Sequence, residues 1–136
     1  MISRAADYGL RAALALAGRP PGTRMTLADL AAECDVPAAF LYKVLRGLVE
    51  RRVLTAHRGK CGGYELAGDP NQVSVLEVVG AVDGWPVLNT CLVEGGCHRT
   101  ARCGAHPVWR RAQAAVCGVL ASARLGECIE TGMGDR

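Results

Sequence analysis

Cys91, Cys97 and Cys103 stand in the stretch CLVEGGCHRTARCGAH, with five residues between successive thiols, and His106 follows three places after the last. Thiolate sulfur and imidazole nitrogen are donors that iron–sulfide clusters and zinc accept. Gly95, Gly96 and Gly104 make the stretch too flexible for a regular helix or strand. The donors therefore sit on a loop that can wrap a metal core and meet it from several sides. A structural zinc held by Cys91, Cys97, Cys103 and His106 is one use of such a set, although these gaps are longer than the usual zinc-ligand spacing. A thiol redox enzyme or cluster carrier is another, but it needs a low-pKa cysteine beside a resolving thiol, and the chain has no C-x-x-C pair. No Ser/His/Asp set, paired carboxylates or phosphate-binding glycine loop stands out, so no catalytic residue is assigned and the chain is not read as an enzyme.

The chain has seven cysteines, an odd number that argues against a full disulfide framework. Ile2 is followed at once by Ser3, Arg4 and Asp7, without the apolar run of a secretory leader. The expectation is a cytoplasmic chain whose thiols stay reduced. No stretch reaches the ~18–20 apolar residues of a membrane helix, so no membrane partner is expected.

The rest of the chain must position the loop and give it something to control. Net charge is only +3, but Lys43, Arg46, Arg51, Arg52, Arg58 and Lys60 face the single acid Glu50 between residues 43 and 60. A basic block in one region suits a polyanion, and a solvated helix face is the plainer alternative. A first helix is expected from Ser3 to Ala17, stopped by Gly18, Pro20 and Pro21, with Leu10, Ala13, Leu14 and Ala17 as its buried stripe. A second helix starts at Thr26, with Leu27, Leu30, Ala31 and Cys34 inward and Cys34 as a small buried hydrophobe. After the break at Asp35–Pro37, a third helix to about Arg51 turns Leu41, Val44, Leu45 and Leu48 inward and Ala39, Tyr42, Lys43 and Arg46 outward. Two helices on a short turn, the second with a small, aromatic and basic outer face, describe a helix-turn-helix. Strands at 53–57 and 64–66 flank the turn Arg58-Gly59-Lys60-Cys61-Gly62-Gly63, which reads as a wing. Its cations Arg58 and Lys60 suit the negative potential of a DNA groove. Ser74 and Glu77 form a capping box for a fourth helix, ended by Asp83-Gly84. From Pro107 to about Leu125 a longer helix carries Trp109, Ala112, Val116, Val119 and Ala123 on one side, more apolar stripe than one small domain needs. It is expected to pack on the same helix of a second chain. The tail from Gly126 is expected to be a short helix and then disorder.

The motifs ADYGLRAALALA at 6–17, VPAAFLYKVLRGL at 36–48, RGKCGGYELA at 58–67 and VLEVVGAVDG at 75–84, with the cysteine spacing, resemble the iron–sulfur winged-helix transcription regulators of the IscR and NsrR type. The resemblance reaches to about Ile129. It implies a homodimeric regulator, in its plainest form a repressor, bound to a palindromic operator in double-stranded DNA. Its signal would be nitric oxide, redox state or iron and cluster supply. It implies one cluster per subunit on Cys91, Cys97 and Cys103. The fourth ligand is either His106, as in IscR-like members, or Asp7 donated in trans, as in NsrR-like members. Asp7 otherwise pairs with Arg11, and His106 otherwise simply opens a helix. A [4Fe–4S] cluster with Asp7 in trans is preferred to [2Fe–2S], because a ligand on the first helix would report directly to the DNA-reading helices. The expected fold is mainly α: a winged helix-turn-helix with a two-stranded wing over 1–84, a cysteine-rich cluster loop over 85–106, and a long C-terminal dimerisation helix and tail over 107–136.

Overall fold

A computed structural model describes residues 2–134 of the chain, with side chains to Glu130. Helix α1 (Arg4–Ala17) begins at Ser3, whose hydroxyl accepts the Ala6 N–H at 3.2 Å, and Gly18 ends it. Helix α2 (Leu27–Cys34) is capped by Thr26, whose hydroxyl accepts the Asp29 N–H at 3.1 Å. It stops at Asp35 in the left-handed region, φ 55, and the reversal delivers Pro37 to the start of α3 (Ala38–Glu50). Strands β1 (Leu54–His57) and β2 (Gly63–Leu66) pair antiparallel, with Leu54 opposite Leu66 and His57 opposite Gly63. Helix α4 (Val75–Asp83) opens on the reciprocal capping box: Ser74 Oγ accepts the Glu77 N–H at 3.1 Å, and Glu77 accepts the Ser74 N–H at 2.7 Å. Helices α5 (His106–Ser122) and α6 (Leu125–Gly134) complete the chain. The architecture is the mainly helical winged helix-turn-helix read from the sequence.

The third helix buries the four residues expected of it, Leu41, Val44, Leu45 and Leu48. They meet Leu30, Leu54 and Val78, each with almost no exposed surface, in one core. Each such side chain contributes about 1.5–3 kcal/mol by leaving water.

The first helix differs from expectation. Its deepest residues are Ala6, Gly9, Ala12, Ala13 and Leu16, while Leu10, Leu14 and Ala17 are only half-buried flanks. The reason is close packing. A Cβ on Gly9 would lie 2.9 Å from Val82 and 3.1 Å from Val44, so only a small face lets α1 settle against α3 and α4.

Two short pairings bring distant segments together. Met25 and Tyr64 form an isolated bridge, with N–H to carbonyl distances of 2.9 and 2.8 Å, which adds a third edge to the wing. Gly63 permits it, because a Cβ there would sit 2.6 Å from the Met25 carbonyl oxygen. Ser74 and Arg124 form the second bridge, flanked by Val75 N–H to Ala123 O at 2.9 Å and Leu125 N–H to Val73 O at 3.0 Å. The long C-terminal helix therefore ends at Ser122, short of the expected Leu125. The expected short tail helix is α6, and it returns to the core, where Leu125 is fully buried. The expected disorder beyond it lies outside the described residues. Among the described residues, no helix is long and apolar enough to cross a membrane.

Candidate cluster loop and nucleic-acid interface

Between α4 and α5 the chain makes two single turns of 3₁₀ helix, Thr90–Leu92 and Thr100–Arg102. Gly95, at φ 71, completes a turn closed by Gly96 N–H to Val93 O at 2.9 Å. Gly96 has no room for a side chain, since a Cβ would lie 2.0 Å from the Thr90 carbonyl oxygen. The turn folds residues 91–97 around a cleft of about 360 Å³ lined by Cys91, Cys97 and His106 among others. The Arg99 N–H points to Cys97 Sγ at 3.4 Å, and Thr100 Oγ1 donates to the Cys97 carbonyl at 3.0 Å. A backbone N–H aimed at sulfur helps to orient it as a metal ligand.

His106 is the first residue of α5, and its Nδ1 is buried without a hydrogen-bond partner. An orphaned buried nitrogen costs about 1–3 kcal/mol, and a metal ion would accept its lone pair. Cys103 is exposed and outside the cleft lining, and among the described residues no three His, Cys, Asp or Glu side chains converge on one metal-holding position. Two thiols and an imidazole thus share a cleft, and closing the set requires the 100–105 segment to fold in. Asp7 is elsewhere, on the exposed side of α1, paired with Arg11 at 2.9 Å. The donor types fit an iron–sulfur group as well as zinc, with Cys91, Cys97 and His106 in the cleft lining and Cys103 outside it.

The outer face of α3 is open. Ala39, Tyr42, Lys43 and Arg46 are all exposed, and Arg46 is tethered to Glu50 at 3.2 Å. No side chain caps the start of α3, where the Phe40 and Leu41 N–H groups donate to the Pro37 carbonyl at 3.1 and 2.9 Å. Arg58 and Lys60 are exposed on the turn between β1 and β2, which Gly59 shapes at φ 95. Burial, with the neighbouring Tyr42 phenol, pushes the Tyr64 phenol up, so it stays a neutral hydroxyl where wing and α3 meet. His57 and Glu65 bond across the wing.

Sequence reading missed Arg24. Its guanidinium donates to the Cys61 carbonyl at 3.1 Å and ties the segment before α2 to the wing tip. A single arginine in a loop leaves no local pattern, and only the Met25–Tyr64 pairing explains its place.

Helix α5 has no buried residue. Val108 and Val119 are exposed, and so is Trp85 in the segment leading to the loop, at 66%.

The profile of the Rrf2 family, described as iron-dependent transcriptional regulator, matches residues 2–131. The HTH-type transcriptional regulator IscR of Cronobacter sakazakii is 30% identical over 122 residues, 90% of this chain and 75% of that one. An HTH-type transcriptional regulator of Mycobacterium tuberculosis, Rv1287, is 39% identical over 83 residues. That match covers 61% of this chain and 52% of the relative, so it spans about half the relative's length. In fold, the chain is similar to CymR, the global cysteine regulator of B. subtilis, with a TM-score of 0.79, 23% identity and coverage of 96% and 97% of the two chains. It is also similar to T. potens IscR, with a TM-score of 0.75, 21% identity and coverage of 97% and 88%. These relatives are transcriptional regulators, not enzymes.

Proposed function

Because the chain belongs to the Rrf2 family of transcriptional regulators, we propose that it is a homodimeric repressor whose hold on a palindromic operator in double-stranded DNA is set by an iron–sulfur cluster. Residues 1–84 read DNA, residues 85–106 hold the cluster, and α5 pairs the subunits. The observation that carries the cluster is the shared cleft of Cys91, Cys97 and His106, with the His106 Nδ1 buried and unpartnered. Cys91, Cys97, Cys103 and His106 would hold the group, and when bound it would supply one-electron exchange and iron sites open to small diffusible molecules such as nitric oxide. The orphaned nitrogen favours His106 as fourth ligand. A [4Fe–4S] cluster held instead by Asp7 of the partner subunit would draw on a carboxylate whose Oδ2 is paired with Arg11 at 2.9 Å. The pairing role of α5 is supported by its lack of any buried residue among those described.

The three thiols must lose protons to bind iron, and Arg99 and Arg102 offset part of the resulting charge. Folding Cys103 into the set repositions the 100–105 segment, and each residue newly fixed by it costs about 1–2 kcal/mol. A two-state shift of ~10⁴-fold takes only about 5.5 kcal/mol, so loop ordering is large enough to move the DNA-reading unit between two postures. On DNA, Ala39 and Tyr42 face base edges, and Lys43, Arg46, Arg58 and Lys60 meet phosphates or a groove edge.

The experiment is anaerobic purification followed by visible spectroscopy and iron, sulfide and zinc analysis, then binding to duplex pools with and without the metal group. Brown protein with iron and sulfide, selecting a palindromic duplex, is expected. Colourless protein carrying zinc would replace the cluster with a structural metal.

A further inference from the structure

A cleft of about 440 Å³ lies between the start of α1 and the start of α3, lined by Arg4, Tyr8, Pro37, Ala39, Phe40 and Lys43. The neighbouring cations are neutralised, Arg11 by Asp7 at 2.9 Å and Arg46 by Glu50 at 3.2 Å. Among the described residues, the ion pairs involve neither Arg4 nor Lys43. The cleft wall is firm. The Tyr8 and Phe40 rings meet edge to face at 5.6 Å and 89°, and the Arg11 guanidinium lies 5.4 Å from the Tyr8 ring centre. Two unneutralised cations over one concavity suit a phosphate oxyanion: arginine offers a forked pair of donors and lysine a point charge.

We propose that this cleft seats a backbone phosphate of the DNA strand beside the groove that α3 enters, with Arg4 and Lys43 as its charge partners. This deepens the DNA-reading role proposed above and rests on it. Ala39, assigned to base edges, stands on the rim of the same cleft, so a phosphate held there fixes the depth and register of α3. Such a contact carries no base information of its own.

The test measures binding of a duplex selected from a random pool by the wild-type protein, by fluorescence anisotropy across a salt series. Arg4→Gln is expected to weaken binding roughly tenfold near about 0.1 M salt, and to flatten the slope of log K against log salt by about 0.9. The selected base sequence should not change. Arg4→Lys keeps the charge and should restore the slope, which a purely structural role for Arg4 would not do. If Arg4→Gln leaves the slope unchanged while the wild type binds and Arg58→Ala is weakened, the phosphate seat is overturned and DNA reading stands. If the wild type selects no duplex at all, both fall. If millimolar inorganic phosphate shifts the Arg4 and Lys43 NMR signals without DNA, and Arg4→Gln leaves the salt slope intact, the cleft belongs to free phosphate and the proposal is overturned.

Discussion

Gln113 on α5 holds the chain at Leu88: its Oε1 accepts the Leu88 N–H at 2.9 Å, while its Nε2 donates to the Pro86 carbonyl. One carboxamide thus grips both ends of a three-residue segment just before the cysteine loop. Gln113→Leu removes both bonds, each contributing about 0.5–1.5 kcal/mol. Faster hydrogen exchange at the Leu88 amide is expected, with the amides of α3 unaffected. Unchanged protection at Leu88 would mean that the clamp does not hold the segment in solution.

Gly96 separates loop integrity from overall folding. A methyl at this position meets a backbone oxygen at 2.0 Å, which cannot swing aside like a side chain. Gly96→Ala should cost roughly 1–3 kcal/mol within the loop and lower iron and sulfide content per subunit. Thermal unfolding of the metal-free protein should shift little, because the loop adds nothing to the main core. A large drop in that melting temperature would place the turn within the cooperative unit.

Cys97→Ala should abolish the visible absorbance of anaerobic protein and alter its operator affinity. His106→Ala and Asp7→Ala discriminate the fourth ligand. Loss of cluster content or a changed spectrum is expected for His106→Ala, with Asp7→Ala near wild type. The reverse result would assign the ligand to Asp7 of the partner subunit.

Arg58→Ala should weaken operator binding several-fold and reduce the salt slope by about one, with the spectrum of the metal group unchanged. Arg24→Ala should mimic part of this loss, because the guanidinium that steadies the Cys61 carbonyl is gone. Equal affinity of Arg58→Ala and wild type for the selected duplex would remove the wing from the interface.

Burial, and then the nearby Glu33 carboxylate, push the Cys34 thiol up from its ordinary value near 9.0. The folded chain therefore holds this proton more tightly than the unfolded chain does. The stability it lends is present below the ordinary thiol value and is lost as pH climbs past it. Alkylation mass spectrometry of the metal-free protein at mildly alkaline pH should label the exposed Cys61 and Cys103 first and Cys34 last. Early labelling of Cys34 would show that the α2–α3 turn opens readily.

The inner stripe of α3 and the capping box at Ser74 were legible because each is written in residues a turn or two apart. The inner face of α1 was read correctly at Ala13 and misread at Leu10, Leu14 and Ala17, because apolar periodicity favours leucine, whereas a helix wedged between two others selects Ala6, Gly9 and Ala12. The Met25–Tyr64 and Ser74–Arg124 pairings left no trace, since a single-residue bridge between remote segments has no period. In the site, Cys91, Cys97 and His106 were found by type and spacing and share a cleft. Cys103 was found as readily but lies outside that cleft, because spacing reports reach along the chain and not which side of a loop a thiol faces.

The pairing of 73–75 with 123–125 turns everything between them into a ring stapled at its neck. The heel of the long α5 rod is pinned to the head, so under the cluster control proposed above a tightening of the thiol segment at its far end would tilt the rod about a fixed pivot. In the proposed dimer, news from the metal would thus travel as leverage, and two heads mounted on paired rods would change their span together.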